Sequence, residues 1–166
     1  SGGAGLHRGG NGLSVAYRFL VDGHIGIHDD RWLTYPWGVN GGKPGMRSTK
    51  LLVRSDGSEE YIPAKCEGVK VQKGDLLYFN TWGGGGWGDP LERDPATVLS
   101  DVTKKLVSID GARRYGVVIN DDISLNEKET KKLRSKMSKD TIKDEMFNFG
   151  GTIEEIKARS LEETNL

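Results

Sequence analysis

Residues 80–95 hold four consecutive glycines between Trp82 and Trp87, closed by Asp89-Pro90. The run joins the least restrained backbone available to two of the largest side chains, a mixture that neither a helix nor a strand interior favours. Gly83, Gly84, Gly85 and Gly86 are therefore expected to take positive φ values or to admit another backbone at close range, with the indoles pinning the ends. The run also divides the chain. Of 24 glycines, 20 lie in residues 1–88, so the first part reads as loop-rich β-structure and the second as helical.

Apolar residues alternate over 13–21, which predicts a half-buried strand. Asp22-Gly23 reads as a hairpin turn into a second strand at 24–28. Residues 35–47, with two prolines and four glycines, predict an ordered irregular loop. Asp56-Gly57 between 50–54 and 59–63, and Lys73-Gly74 between 68–72 and 75–81, predict two further hairpins. Short strands joined by tight turns indicate an antiparallel sheet folded on itself as a small sandwich or barrel.

Beyond the run the period changes. Asp94 reads as an N-cap with Pro95 at the first helical position, ahead of Val98, Val102 and Leu106. Ser108 reads as the cap of a short helix ended by Gly116, and 117–119 as one more strand. Asn126 with Glu129, and Thr152 with Glu155, have capping-box spacing. Residues 124–166 carry nine basic and nine acidic side chains, so their helices have a narrow apolar stripe and are expected to drape over a partner or sit in solvent. The fold class is α+β, with a glycine-rich antiparallel part at 1–90, short helices and a strand at 91–120, and a charged helical tail at 121–166.

Formal charge sums to zero from 24 basic and 24 acidic residues, which argues against nucleic acid or a membrane surface as partner. No apolar run is long enough to span a bilayer. The single Cys66 fits a reducing compartment, read as the cytoplasm. The opening Ser-Gly-Gly-Ala-Gly starts inside a glycine-rich loop and looks like the cut end of something longer.

Gly83, Gly85 and Gly88 satisfy the spacing of a dinucleotide fingerprint, but Asp89-Pro90 is not read as a helix start and no βαβ unit surrounds it. Gly41-Gly42-Lys43-Pro44-Gly45 lacks the spacing and the Ser/Thr of a phosphate loop. His24, His28 and Asp30 share one strand face and are weak metal-ligand candidates. Strand residues four apart lie about 13 Å apart, so each would need a site completed from elsewhere; the alternative is a solvated hairpin face. Arg31, Trp32, Tyr35 and Trp37 concentrate guanidinium and aromatic groups, as a ligand platform, an interface anchor or packing under a long loop. Catalytic residues are not identifiable. Ligand-or-interface candidates are Arg31, Trp32, Trp37, Gly83 to Gly86, Trp87 and Asp89.

The opening SGGAGLHRGGNG, the central DRWLTYPWGVNGGKPG, then KGDLLYFNTWGGGGWGDPLERDP and DGARRYGVVI occur in this order. Over residues 1 to about 120 this resembles the C-terminal part of the hydantoinase B/oxoprolinase family. The resemblance implies a cytoplasmic, ATP-dependent hetero-oligomeric hydrolase that opens a cyclic amide such as hydantoin, oxoproline or a lactam. Alternatives it leaves open are a non-catalytic assembly module and a subunit of a related ATP-dependent ketone carboxylase. It also implies that no cofactor is held in this chain. ATP with magnesium and a divalent metal would belong to partner parts, namely the remainder of the B-type subunit and an A-type ATP-binding subunit.

Overall fold

The computed structural model describes residues 1–139 and 146–166. Among the described residues there are eight strands: β1 (Ser14–Arg18), β2 (Gly23–His28), β3 (Gly38–Val39), β4 (Thr49–Val53), β5 (Glu59–Tyr61), β6 (Lys65–Val71), β7 (Leu76–Asn80) and β8 (Phe147–Asn148). Helices are α1 (Pro95–Thr103), α2 (Glu127–Met137) and α3 (Ile153–Thr164). Antiparallel strands dominate before the glycine run and helices after it, as expected for an α+β chain.

One sheet runs β1-β7-β4-β5, a second pairs β2 with β6, and a third pairs β3 with β8. The first two face each other as an open sandwich whose core is Ile27, Leu52, Ile62, Val71 and Leu77; no barrel closes. Only one of the three expected hairpins forms. At Asp56-Gly57, Gly57 takes φ +88° and β4 pairs with β5. β1 pairs with β7 instead of β2, and β6 with β2 instead of β7. Asp22-Gly23 and Lys73-Gly74 are corners where the chain changes sheets, and the Asp22 carboxylate accepts the Lys73 amide at 2.8 Å. A turn signal specifies a reversal of direction, not which strand lies alongside.

Asp75 fixes this corner. Its carboxylate, buried from solvent, accepts the Gln72 amide (2.9 Å), the Ser55 amide (2.9 Å) and the Arg54 guanidinium (3.2 Å). These bonds, led by that from Gln72, hold its pKa below the usual carboxylate range.

The helical part has its own core. Val98 and Val102 of α1 pack with Val107, Ala112, Tyr115, Val117 and Ile119, and Ala4 from the chain's opening joins them. Asp94 caps α1 by accepting the Ala96 amide at 3.0 Å, with Pro95 at the first helical position. Ser108 accepts the Gly111 amide at the head of a 3-10 turn, Asp110–Tyr115, which ends at Gly116 with φ +64°. Val117 and Ile119 are buried and Val118 is half-buried, but the three form no strand. The Val118 amide goes to the Thr130 hydroxyl and its carbonyl to the Asn126 amide, so α2 takes the bonds a neighbouring strand would have taken.

The charged tail folds back on its own chain. Arg134 of α2 donates to the carbonyls of Arg93 (2.6 Å) and Tyr115 (3.2 Å). α3 opens with the full Thr152/Glu155 capping box. Its Ser160 accepts from the buried Arg47, Glu163 pairs with the same guanidinium, and Arg159 donates to the Tyr35 hydroxyl at 3.2 Å.

Candidate functional site

The glycine run is hydrogen-bonded on every side, and its partners repeat with period three. Gly83 and Gly86 donate to the carbonyls of Met46 and Lys43, while Gly84 and Trp87 donate to those of Gly10 and His7. Strand ladders repeat every second residue, whereas a polyproline-type helix turns once in three. The run is thus an extended threefold segment inside a bundle formed with residues 1–12 and 37–46. None of Gly83 to Gly86 has a positive φ; of the two expected reasons for glycine, close approach is the one that operates.

The approach leaves no room for side chains. A Cβ on Gly83 would lie 2.2 Å from the Ser1 carbonyl oxygen, one on Gly86 2.1 Å from that of Ala4, and one on Gly85 1.8 Å from that of Trp37. Gly84 differs, with its nearest neighbour at 3.3 Å. The amides of Gly83, Gly84 and Gly86 are donated to carbonyls, so these three are not free to bind a phosphate.

The flanking indoles do not clasp the run. Trp82 and Trp87 are 41% and 46% exposed, and Trp87 lies against the His7 ring, centroids 5.4 Å apart. The bundle is held by backbone bonds, and instead of being a joint between halves the run is its central member. Asp89 accepts the Leu91 amide at 2.8 Å and caps a 3-10 turn, Pro90–Glu92. Asp89-Pro90 therefore does begin a short helical turn, contrary to the sequence reading; a proline at the first position suits it.

Arg31 and Trp37 are brought together. The Arg31 guanidinium lies 4.5 Å over the Trp37 ring, and Trp37 meets Phe149 at 5.9 Å. These residues with Thr34, Tyr35, Ile153 and Ile156 line a mostly apolar cleft of about 360 Å³. Trp32 stands apart: its carbonyl accepts from Arg47 and its side lines a small hollow under the end of α3.

His24, His28 and Asp30 do not converge. Asp30 lies outside β2 and faces Lys65 at 3.6 Å, while His28 faces Glu67 at 2.7 Å, both on the exposed surface. Among the described residues no group of three or more His, Cys, Asp or Glu side chains could hold a metal ion. Cys66 is half-buried, with its thiol 3.3 Å from the Pro63 carbonyl.

Two buried charge clusters escaped the sequence reading. Lys50 pairs with Asp29 while Ser48 donates to the same carboxylate; the Lys50 side chain is 1% exposed and that of Asp29 5%. The alternation that turns Leu52 inward turns Lys50 inward too, and that was the available signal. Elsewhere Asp101 receives Arg93 at 2.8 Å and Arg8 at 3.8 Å. Beside them burial raises the Tyr115 pKa, against the opposing pull of Arg114, Arg8 and Arg93.

A glycine bundle packed backbone to backbone, carried on an open β-sandwich, is the class of structure to be placed. The profile of the family described as hydantoinase B/oxoprolinase matches residues 1–90. An uncharacterized protein of Methanocaldococcus jannaschii is 41% identical, covering 81% of this chain and 24% of that protein. The caprolactamase subunit beta of Pseudomonas jessenii is 40% identical, covering 78% and 23%. The crystal structure of ATP-dependent caprolactamase from Pseudomonas jessenii superposes with a TM-score of 0.63 at 33% identity, over 80% of this chain and 24% of that one. The chain belongs to the hydantoinase B/oxoprolinase family. It spans about a quarter of the length of these relatives.

Proposed function

We propose that this chain is the C-terminal segment, or a separate small subunit, of an ATP-dependent hydantoinase/5-oxoprolinase-type enzyme that hydrolyses a cyclic amide. The observation carrying this reading is the 40% identity to a caprolactamase beta subunit across 78% of the chain. A ring amide is a poor electrophile with a poor leaving group, so activation by ATP suits its opening. That step belongs to an A-type subunit, and ATP with magnesium and a divalent metal belong to it and to the remainder of the B-type subunit. The compartment is the cytoplasm, on the strength of the lone Cys66.

This chain's own part is to shape. The bundle holds the backbone at Trp37, and Trp37 carries Arg31 on its ring at one wall of the apolar cleft. A second reading, a non-catalytic assembly module, is favoured by the run itself, where the Gly83, Gly84 and Gly86 amides bond within the fold.

The test is ATP-dependent ring opening of hydantoin, 5-oxoproline and caprolactam by the complex purified from its source. Product from the complex and none from the chain alone is expected. Carboxylation of a ketone without ring opening would replace the hydrolytic reading with the carboxylase one. Turnover by the chain alone would sink the assembly-module reading. A native mass spectrum of the source complex showing this chain free of any larger companion would remove the subunit reading.

A further inference from the structure

The sandwich is closed on one side and open on the other. On the closed side Arg54, just past β4, donates to the Lys70 carbonyl of β6 at 2.7 Å and so ties the two sheets together. On the open side lies a cleft of about 380 Å³ lined by Tyr17, Phe19, Ile25, Ile27, Leu77 and Phe79. Among the described residues both strands at its mouth have a free edge: β1 ends its sheet and β2 is half of a two-stranded one.

The phase of the β1 ladder shows which groups are unpaired. Thr81 donates to the Leu13 carbonyl and Phe19 to the Asp75 carbonyl. In antiparallel pairing bonded residues alternate, so the odd residues of β1 face β7. Ser14, Ala16 and Arg18 turn their amides and carbonyls outward. The same edge is apolar: Leu13, Tyr17, Leu20 and Val21 are 68%, 53%, 72% and 73% exposed. β1 lacks the proline or bulge with which edge strands are ordinarily blunted. An edge of this kind is a template for an added strand.

We infer that the free edge of β1 and the cleft beneath it receive an extended segment, alternately apolar, from the part of the B-type subunit that this chain lacks. The inference rests on the B-type reading above, and its occupant follows from length: relatives matched over most of this chain carry roughly three times as much sequence again. The segment's backbone pairs with Ser14, Ala16 and Arg18, and its apolar side chains enter between Tyr17 and Ile25. Pairing of β1 with β1 of a second copy would satisfy the amides but leave the cleft without incoming side chains, since each copy's Tyr17 and Phe19 already line its own.

The experiment is amide hydrogen exchange on this chain assembled with the remaining B-type portion, supplied as a separate polypeptide. Ser14, Ala16 and Arg18 should exchange at least about 100-fold more slowly in the assembly than in the chain alone, the behaviour of amides that enter a ladder. Tyr17→Lys, at an exposed position that the fold tolerates, should weaken assembly by about tenfold or more. Failure to assemble, fast exchange of these amides in the assembly, or unimpaired assembly of Tyr17→Lys each overturns the inference. So does a dimer of the chain alone that protects the same amides. These readings need no substrate: an assembly with protected β1 amides and no ring-opening activity sinks only the proposed function, and an active one with exposed β1 amides sinks only the docking.

Discussion

The carbonyl oxygen of Trp37 stands 1.8 Å from the point a Cβ on Gly85 would occupy. No atom fits there, and the atom in the way is backbone. Gly85→Ala should therefore destabilise the protein by about 3 kcal/mol or more, at or above the top of the usual cost of overpacking, and Gly85→Val further. Gly84→Ala, with 3.3 Å to its nearest neighbour, and Gly10→Ala, which meets nothing within 4 Å, should each change stability by less than about 1 kcal/mol. Urea midpoints of the three alanine variants check this. Equal midpoints would show that the bundle yields.

The Lys50 and Asp29 charges are each other's main compensation away from water. Lys50→Met leaves a buried carboxylate with Ser48 as its remaining partner and should cost about 3–5 kcal/mol. Adding Asp29→Leu to that variant should recover most of the loss, because an apolar pair has no charge to desolvate. The comparison is a double-mutant cycle in chemical denaturation, and additive costs would refute the coupling.

Asp75 makes the β-sandwich sensitive to acid. Its folded pKa lies below the unfolded value of about 3.9, so its contribution is fully present above roughly pH 4–5 and is lost as pH falls towards the folded value. Asp75→Asn should lower stability at neutral pH and flatten the acid limb of the stability curve. Thermal unfolding from pH 7 to pH 3 measures both, and an unchanged acid limb would place the sensitivity elsewhere.

α3 is tied at its start by the capping box and further along by Arg47 and Tyr35. Thr152→Ala should cost about 1 kcal/mol, felt mainly as faster exchange of the first-turn amides of α3. Amides near Ser160 should stay slow because the Arg47 bonds remain. Uniformly faster exchange along α3 would show that the cap, not Arg47, holds the helix in place.

Local signals in the sequence were legible and pairings were not. Asp94-Pro95 and Thr152 with Glu155 act within one turn of themselves and cap as read, while Ser108 accepts the Gly111 amide from one residue ahead of the turn's cap position, Ile109. Asp22-Gly23 and Lys73-Gly74 were equally local, but the strand each side goes to was decided by the two-layer core, where Ile27 and Val71 meet Leu52 and Leu77 across the sheets. The cleft was half legible: Arg31 and Trp37 were marked, while Phe149 and Ile153 reach them only through the fold-back of the tail. The bundle had a signal that went unused. Gly9 and Gly12, Gly42 and Gly45, and Gly83 and Gly86 are each three apart, the period of an extended threefold helix. The spacing between the glycines, more than the freedom at each one, carries the bundle.

A bundle joined by backbone hydrogen bonds between residues 1–12, 37–46 and 82–88 has consequences for how the chain reaches its fold. Gly3 bonds Gly84 and Met46 bonds Ser1, so the contacts are almost all between distant positions and there is no short-range nucleus to start them. Closing such large loops precedes any gain from the bonds, which places the bundle late in folding. Residues 1–12 can complete the bundle only once residues 82–88 are in place to bond them. The β4–β5 hairpin, which needs only its own turn, is complete well before.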